Sequence, residues 1–596
     1  MPKIPDTTSI GNTTFRRPWR VPAGLRVLEE LISTYPFKDK TSSEFEKELD
    51  KKLIETGVKE SDKPPSDWNG RKFLANCTQY GFIATRPNTG NKKYKLNDKE
   101  EDENLKKILN QIPNIKMKTK PFSLTPLGVM FKNTESNGKE LTAEQKDIFL
   151  KALFHHKQPS PAQEFSSSYK GETFYPLKLY IDILLDLVKR GMDAWITPGE
   201  MAAIINTYKT NNIKKIIKEI KEYRSKFKLK KGKEKTFARI WFKNKKKRGT
   251  FGTSDAYQDI NITAPINTGL FKKRGKKLIL KTEEKHKAKL VSNYKYKYNN
   301  EKDYEYLQNL WSGKLLPFED KNLLVNEASK IKQKLYERYN IKSDEKVNKK
   351  TNDTDLKKIY YTNKDKYTIL QEHSYYEKQK NKAPEIIKIL KNIQTPKREI
   401  EIDKEIIKAE SWHLEWILWR VFLAINSFNT KVQDTRNFSV DDNFVATSHA
   451  ISGVEDMFFE FDDYVLIVEP SFKTGRAQIK DEDEPVFNHT WKKSKKFPKK
   501  TVYTLFVGNG EKIELNLVHH YKNVFYAPDE KEFYGNIIPM TISQITSIFE
   551  KLFHIKKTLN PISLKEIMDE CLADKENLKP TDWREKIKNV IELRIN

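Results

Sequence analysis

The alternation of apolar and polar positions is sharpest in the last third of the chain. In "VEDMFFEFDDYVLIVEPSF" (Val454–Phe472) it predicts a strand with Met457, Phe459 and Phe461 on one face and Asp456 on the other. A turn at Asp462-Asp463 returns the chain, and the apolar run Tyr464–Val468 predicts a central strand covered on both faces, ending in Glu469. Folding back as a hairpin brings Asp456 and Glu469 together. Neighbouring carboxylates in a poorly hydrated setting repel and resist ionisation unless a cation neutralises them. The pattern therefore predicts a divalent ion of the Mg2+ type, held by oxygen ligands.

The flanking segments extend this picture. "WHLEWILWRVFLAI" (Trp412–Ile425) predicts a helix apolar on most sides, with His413 and Arg420 sharing one face. Glu415 points instead among Leu418, Trp419 and Phe422, where it needs a partner, either an arginine from elsewhere or a role at the same ion. In "KDEDEPVFNHTWKKSKK", Pro485 belongs in a first helical turn. That predicts a helix starting near Asp483 or Glu484, with Glu482 in the lead-in and His489 one to two turns along. "TVYTLFVGN" (Thr501–Asn509) predicts a third strand.

Earlier in the chain the pattern is helical, punctuated by two expected hairpins. "GFIATRPNTGNKKYKLN" (Gly81–Asn97) turns through Pro87, Asn88, Gly90 and Asn91, and "TGLFKKRGKKLIL" (Thr268–Leu280) through Arg274-Gly275. Thr125-Pro126 is placed to cap one helix and Thr197-Pro198, with Glu200, another. Helices followed by a basic hairpin resemble winged-helix modules, although each is equally an ordinary hairpin taken alone. "KFKLKKGKEKTFARIWFKNKKKRG" (Lys226–Gly249) interleaves cations with aromatics, as a phosphate-tracking loop or a solvated insertion would. Residues 301–400 predict a helical connector.

Charge sharpens the division. The chain of 596 residues is too long for one core, and it carries a formal net charge of +29. Residues 401–596 hold 27 Lys and Arg against 32 Asp and Glu, whereas residues 201–300 hold 29 against 7. A basic front joined to a slightly acidic rear points to a nucleic acid held by phosphate contacts, with separate chemistry behind. Two widely spaced cysteines, Cys77 and Cys571, suggest a reducing compartment, and no apolar stretch approaches the roughly 18 residues of a membrane span. A cytoplasmic protein is expected.

Taken together, "LEWILWRVFLAI", "HAISGVEDMFFEFDDYVLIVEPSFKTGRAQIKDEDEP…H" and "TGLFKKRGKKLIL" resemble the AlwI-type restriction endonucleases, and the helix–strand–strand–helix–strand order resembles a PD-(D/E)xK nuclease core. The resemblance runs from "GNTTFRRPWR" (Gly11–Arg20) to the C-terminal helices and is strongest over Glu415–His489. It implies a multidomain α+β protein: winged-helix-like recognition subdomains at 1–135 and 136–300, a helical connector at 301–400 and a nuclease domain at 401–596. It also implies a type IIS or strand-nicking DNA endonuclease that binds a short asymmetric duplex site and cuts outside it. The implied active site is Glu415, Asp456, Glu469, Glu482 and His489.

Within that frame Asp456 and Glu469 are expected to hold Mg2+ (Mn2+ as substitute), with the Pro470 carbonyl as a further ligand. Glu482 and Glu415 are expected to hold a second ion or orient water, and His489 to act as a donor or acid–base group or in a structural role. A conventional core has lysine two residues after the second acid. Here that position is Ser471, with Lys473 the nearest alternative and the helix-borne Glu482 the substitute that the resemblance implies. Arg16, Arg17 and Arg20, with Lys272, Lys273 and Arg274 of the second hairpin, are the expected DNA contacts. Cutting both strands requires a second nuclease subunit or a transient homodimer. A non-catalytic DNA-binding regulator or architectural protein and a nuclease acting on RNA or single strands are the competing readings.

Overall fold

In a computed structural model the described residues are 10, 18–37, 40–59, 69–85, 95–96, 109–112, 115, 122–135, 140–158, 160, 162, 173–208, 212–227, 233–245, 247, 250–296, 303–402, 405–450, 453–509, 513–523, 525–526 and 531–596. The chain divides into two units, Met1–Asp365 and Lys366–Asn596.

The first unit is mainly helical, built around an apolar core that includes Leu25, Phe45, Phe73, Phe149, Tyr180, Ile220 and Trp241. Its expected caps form. The Thr197 hydroxyl accepts from the Glu200 N–H at 3.2 Å while Glu200 Oε2 accepts from the Thr197 N–H at 2.9 Å. Thr125 likewise accepts from the Gly128 N–H at 2.9 Å, ahead of the helix Pro126–Lys132. The basic hairpin forms as well, from antiparallel strands Phe271–Arg274 and Lys277–Leu280. Arg274 pairs with Lys277, so the loop is Gly275-Lys276, one residue beyond the expected turn, with Gly275 at φ 56°.

Two expectations for this unit are corrected. The segment Gly81–Asn97 is not a hairpin: Ile83–Thr85 pairs with Phe122–Leu124, and Lys95–Leu96 pairs with Lys40–Thr41. Ile83 and Ala84 are fully buried and Phe122 nearly so, an apolar partner that the lysine-rich second arm does not offer. Pro87, Asn88, Gly90 and Asn91 lie outside the described residues. The run 226–249 is neither a loop nor a solvated insertion throughout, because it contains the helix Glu234–Asn244. Ala238, Trp241 and Phe242 recur at helical spacing and are buried, and Trp241 packs edge-on against Tyr223 at 5.5 Å.

Residues 301–400 are helical as expected, with helices Asp303–Ser312, Lys321–Tyr339, Asp353–Gln379 and Ala383–Ile393. Around the third of these lies a buried ionic network within the first unit. Asp147 lies 2.8 Å from Lys357, 3.6 Å from Lys151 and 3.9 Å from Lys287, and it accepts from the Tyr361 hydroxyl at 2.7 Å. Glu319 pairs with Lys357 at 3.0 Å, and Glu327 with Lys287 at 3.4 Å.

The second unit is built on a four-stranded mixed sheet. Its strands are β1 (Met457–Glu460), β2 (Tyr464–Ser471), β3 (Thr501–Gly508) and β4 (Asn536–Thr541), in the order β4-β3-β2-β1. Strands β2, β3 and β4 are parallel and β1 is antiparallel to β2, so the apolar run Tyr464–Val468 occupies the predicted central position. Met457, Phe459, Leu466 and Val468 face the large core shared with α1 (Ser411–Ile425), where Phe422 meets Phe459 at 5.6 Å. Phe458, Val465 and Ile467 face the other way into a smaller cluster.

Helix α2 is longer than its sequence predicts. It spans Arg476–Lys496 with Pro485 inside it, not in its first turn. Gly475, at φ 62°, turns the chain into the helix. Pro485 deprives the Asp481 carbonyl of its helical donor, a loss that costs about 3 kcal/mol in an isolated helix. Contacts on both sides of it offset that cost. The Gln478 side chain donates to the Lys473 carbonyl at 3.1 Å, and Thr490 bonds Thr504 of β3 at 2.7 Å. Glu482 therefore lies on the helix itself, seven residues before His489 and on the same face.

Candidate active site

The ladder between β1 and β2 pairs Glu460 with Val465 and continues to Met457 with Val468. Asp456 immediately precedes Met457 and Glu469 immediately follows Val468, so the two acids lie at the same end of the strand pair. The two acids that the sequence singled out are thus brought close enough for the charge of Glu469 to act on Asp456.

Five carboxylates act on one another around this point. Burial pushes Asp456 well above the usual carboxylate range, and the charges of Glu415, Glu469, Glu482 and Glu455 push the same way. Glu469 is raised first by burial, with Glu455 and Glu482 adding to it and His489 opposing. Glu415 is raised by burial and by Glu482, against hydrogen bonds from His449 and the Ala450 N–H.

Four of these five acids have a basic partner. His489 Nδ1 lies 2.7 Å from Glu469 Oε1, both side chains being buried. Lys493, four residues further along α2, lies 2.7 Å from Glu455 and stacks over the Phe458 ring at 3.5 Å. Lys473 lies 3.0 Å from Glu482 Oε1, which also accepts from the Ser471 hydroxyl at 2.9 Å. His449 Nδ1 lies 2.8 Å from Glu415 Oε1, and Glu415 Oε2 accepts from the Ala450 N–H at 2.9 Å. The Asp456 carboxylate has no such partner among the described residues.

The partner of Glu415 is thus a histidine and a backbone amide, not an arginine. On the same helix His413 accepts from the Glu410 N–H in a capping arrangement, and Arg420 pairs with Glu385 at 2.8 Å. Pro470 is partly exposed in β2, opposite Val507. Arg20 ends a short 3-10 turn, Lys272, Lys273 and Arg274 lie partly exposed on their hairpin strand, and Arg16 and Arg17 fall outside the described residues.

Sequence reasoning missed Glu455, Lys493 and His449. Glu455 adjoins Asp456, and Lys493 follows His489 at helical spacing, so both carried a local signal. His449 joins Glu415 across 34 positions and carried none beyond opening the "HAISG" stretch.

Among the described residues no group of three or more His, Cys, Asp or Glu side chains is arranged to hold a metal ion. Mg2+ nevertheless uses one or two carboxylates, with waters and substrate oxygens completing its shell. An unpartnered Asp456 near Glu469 fits that donor set.

Residues 110–548 match the AlwI restriction endonuclease family, and the chain belongs to that family. A search of curated proteins returns no match. Among solved structures the chain is similar to the small subunit (R.BspD6I2) of the heterodimeric restriction endonuclease R.BspD6I, with 24% identity over 35% of this chain and 98% of that one, at a TM-score of 0.28. It is also similar to the BpuJ1 endonuclease binding domain in complex with pyrene- and phenanthrene-modified DNA, with 11% identity over 49% and 91% of the chains, at a TM-score of 0.28. Among the described residues no helix is long and apolar enough to cross a membrane.

Proposed function

We propose that the chain is a Mg2+-dependent, site-specific DNA endonuclease of the type IIS or nicking kind, which grips a short asymmetric duplex site with its basic N-terminal half and hydrolyses a phosphodiester outside it. The observation that carries this reading is Asp456, the one member of five mutually repelling acids without a basic partner among the described residues. Asp456, Glu469 and the Pro470 carbonyl would hold the ion. When bound, it polarises the scissile phosphate and acidifies a coordinated water. Mn2+ would substitute for it.

The chain's own groups do the rest. His489 fixes the Glu469 carboxylate by occupying one of its oxygens. Glu482, tied to Ser471 and Lys473, would steady the loop that follows β2 and stand in for the lysine that Ser471 replaces. Both oxygens of Glu415 are engaged by His449 and Ala450, which favours orientation over ion-holding as its role. Lys272, Lys273, Arg274 and the arginines Arg16, Arg17 and Arg20 would supply phosphate and base contacts, within an architecture of winged-helix-like recognition and a PD-(D/E)xK-like core. One centre per chain cuts one strand per engagement. Double-strand cleavage then needs a second subunit or a transient homodimer.

Incubating the protein with supercoiled plasmid in Mg2+, Mn2+ or EDTA, and resolving strands on denaturing gels, tests this. Discrete cuts at fixed positions with metal and none in EDTA are expected. Intact plasmid under every condition would establish a regulator instead, and indiscriminate degradation a non-specific nuclease.

A further inference from the structure

Two carboxylate–histidine pairs flank Asp456, and they differ in access. The His489 side chain is 8% exposed, closed in between α2 and the sheet, whereas the His449 side chain is 52% exposed. Three contacts hold the His449 ring. Its Nδ1 meets Glu415 Oε1 at 2.8 Å, its Nε2 stands 3.2 Å from the Ser411 hydroxyl, and its edge packs on Trp412 at 5.0 Å. A carboxylate receiving the Nδ1 proton selects the neutral tautomer whose Nε2 is a bare acceptor. The Ser411 hydroxyl shows that an O–H donor fits against that nitrogen. Glu415 ties the pair to the acid cluster, since its charge bears on Asp456 and that of Glu482 bears on Glu415.

We propose that His449 is a catalytic residue that takes the proton of the attacking water through Nε2, with Glu415 as the residue that positions it; this rests on the endonuclease reading above. The water oxygen forms its bond to phosphorus as the bond from phosphorus to the leaving sugar oxygen breaks. The water proton passes to Nε2, the leaving oxygen takes a proton from solvent, and the imidazolium returns its proton to solvent. The acid–base task that the sequence offered to His489 thereby moves to a histidine the substrate can reach, and His489 keeps the structural one.

The test compares single-turnover cleavage in Mg2+ with DNA binding in EDTA, measured by fluorescence anisotropy, for wild type, His449→Ala, His449→Gly, Glu415→Gln and Ser411→Ala. His449→Ala is expected to cut about 100-fold more slowly or worse, the usual loss for a missing general base. Its DNA affinity should stay at the wild-type value. Glu415→Gln should lower the cleavage rate and not the affinity. Added imidazole should restore part of the rate to His449→Gly, which a merely structural role would not allow. Ser411→Ala, which removes one of the three contacts on the ring, should keep part of the wild-type rate. Undiminished cutting by His449→Ala, or an inactive Ser411→Ala together with a covalent protein–DNA adduct trapped in wild type, overturns the inference alone. A wild-type protein that leaves DNA intact overturns the endonuclease reading and the inference with it.

Discussion

Replacing Glu469 with alanine is expected to slow DNA cleavage by about 1,000-fold or more, the equivalent of about 4 kcal/mol of lost transition-state stabilisation. DNA affinity measured in EDTA should stay close to wild type, because the proposed basic contacts lie in the other half of the chain. Glu469 and Asp456 lie at the same end of the strand pair, so its loss removes half of the proposed donor set and takes from His489 the carboxylate that its Nδ1 meets. Equal cutting by the variant would refute the site.

The same acids should weaken the metal-free fold. Asp456 and Glu469 are both raised above the ordinary carboxylate range, by burial first. A raised carboxylate lends stability that is complete below its unfolded-state pKa and is lost as pH climbs through the folded value. In EDTA the wild-type protein should therefore lose part of its stability between the ordinary carboxylate pKa and the raised ones. Glu469→Gln, which keeps the shape and removes one charge, should melt higher than wild type at neutral pH. Thermal denaturation across pH, with and without Mg2+, measures both effects.

What was legible in the sequence follows from the range of each interaction. Period-two alternation over Met457–Phe461 and the apolar run after Asp463 specify two strands and their faces locally, and register then fixes which acids meet. The Thr197 capping box is equally local, three residues closing on themselves. Pairing of Ile83–Thr85 with Phe122–Leu124 spans about forty positions and depends on which partner buries more apolar surface, which alternation alone does not reveal. In Glu234–Asn244 charged residues hid an apolar stripe that needs only Ala238, Trp241 and Phe242. Pro485 misled because a helix held by tertiary contacts on both sides tolerates what an isolated one does not.

The site divides in the same way. Its acids were readable because burying a carboxylate in an apolar run is costly enough to demand a reason. Their partners were not, since Glu415 with His449 and Glu455 with Lys493 join segments more than thirty residues apart. Two lysine contacts likewise exist only in space: Lys473 is held on Glu482, and Lys493 reaches Glu455 from α2.

A second large effect is expected far from this chemistry. Asp147→Ala should destabilise the first unit by about 3–5 kcal/mol, lowering its melting temperature by roughly 4–7 °C. Asp147 is buried, and burial alone would raise its pKa, but Lys357, Lys151 and Lys287 outweigh that and hold it far below the usual range. A depressed carboxylate contributes stability above its unfolded-state pKa and loses it as pH falls through the folded value. The variant's deficit should accordingly persist at neutral pH and shrink only in strong acid. Without Asp147, Lys287 and Lys357 keep Glu319 and Glu327 while the buried Lys151 loses the carboxylate it pairs with, so the penalty comes from uncompensated charge more than from lost contacts. Adding Lys357→Met removes one of those charges, and the double variant should recover part of the loss. A single variant that melts within a degree of wild type, or a double variant less stable than the two losses added, would show that this network does not act as one balanced cluster.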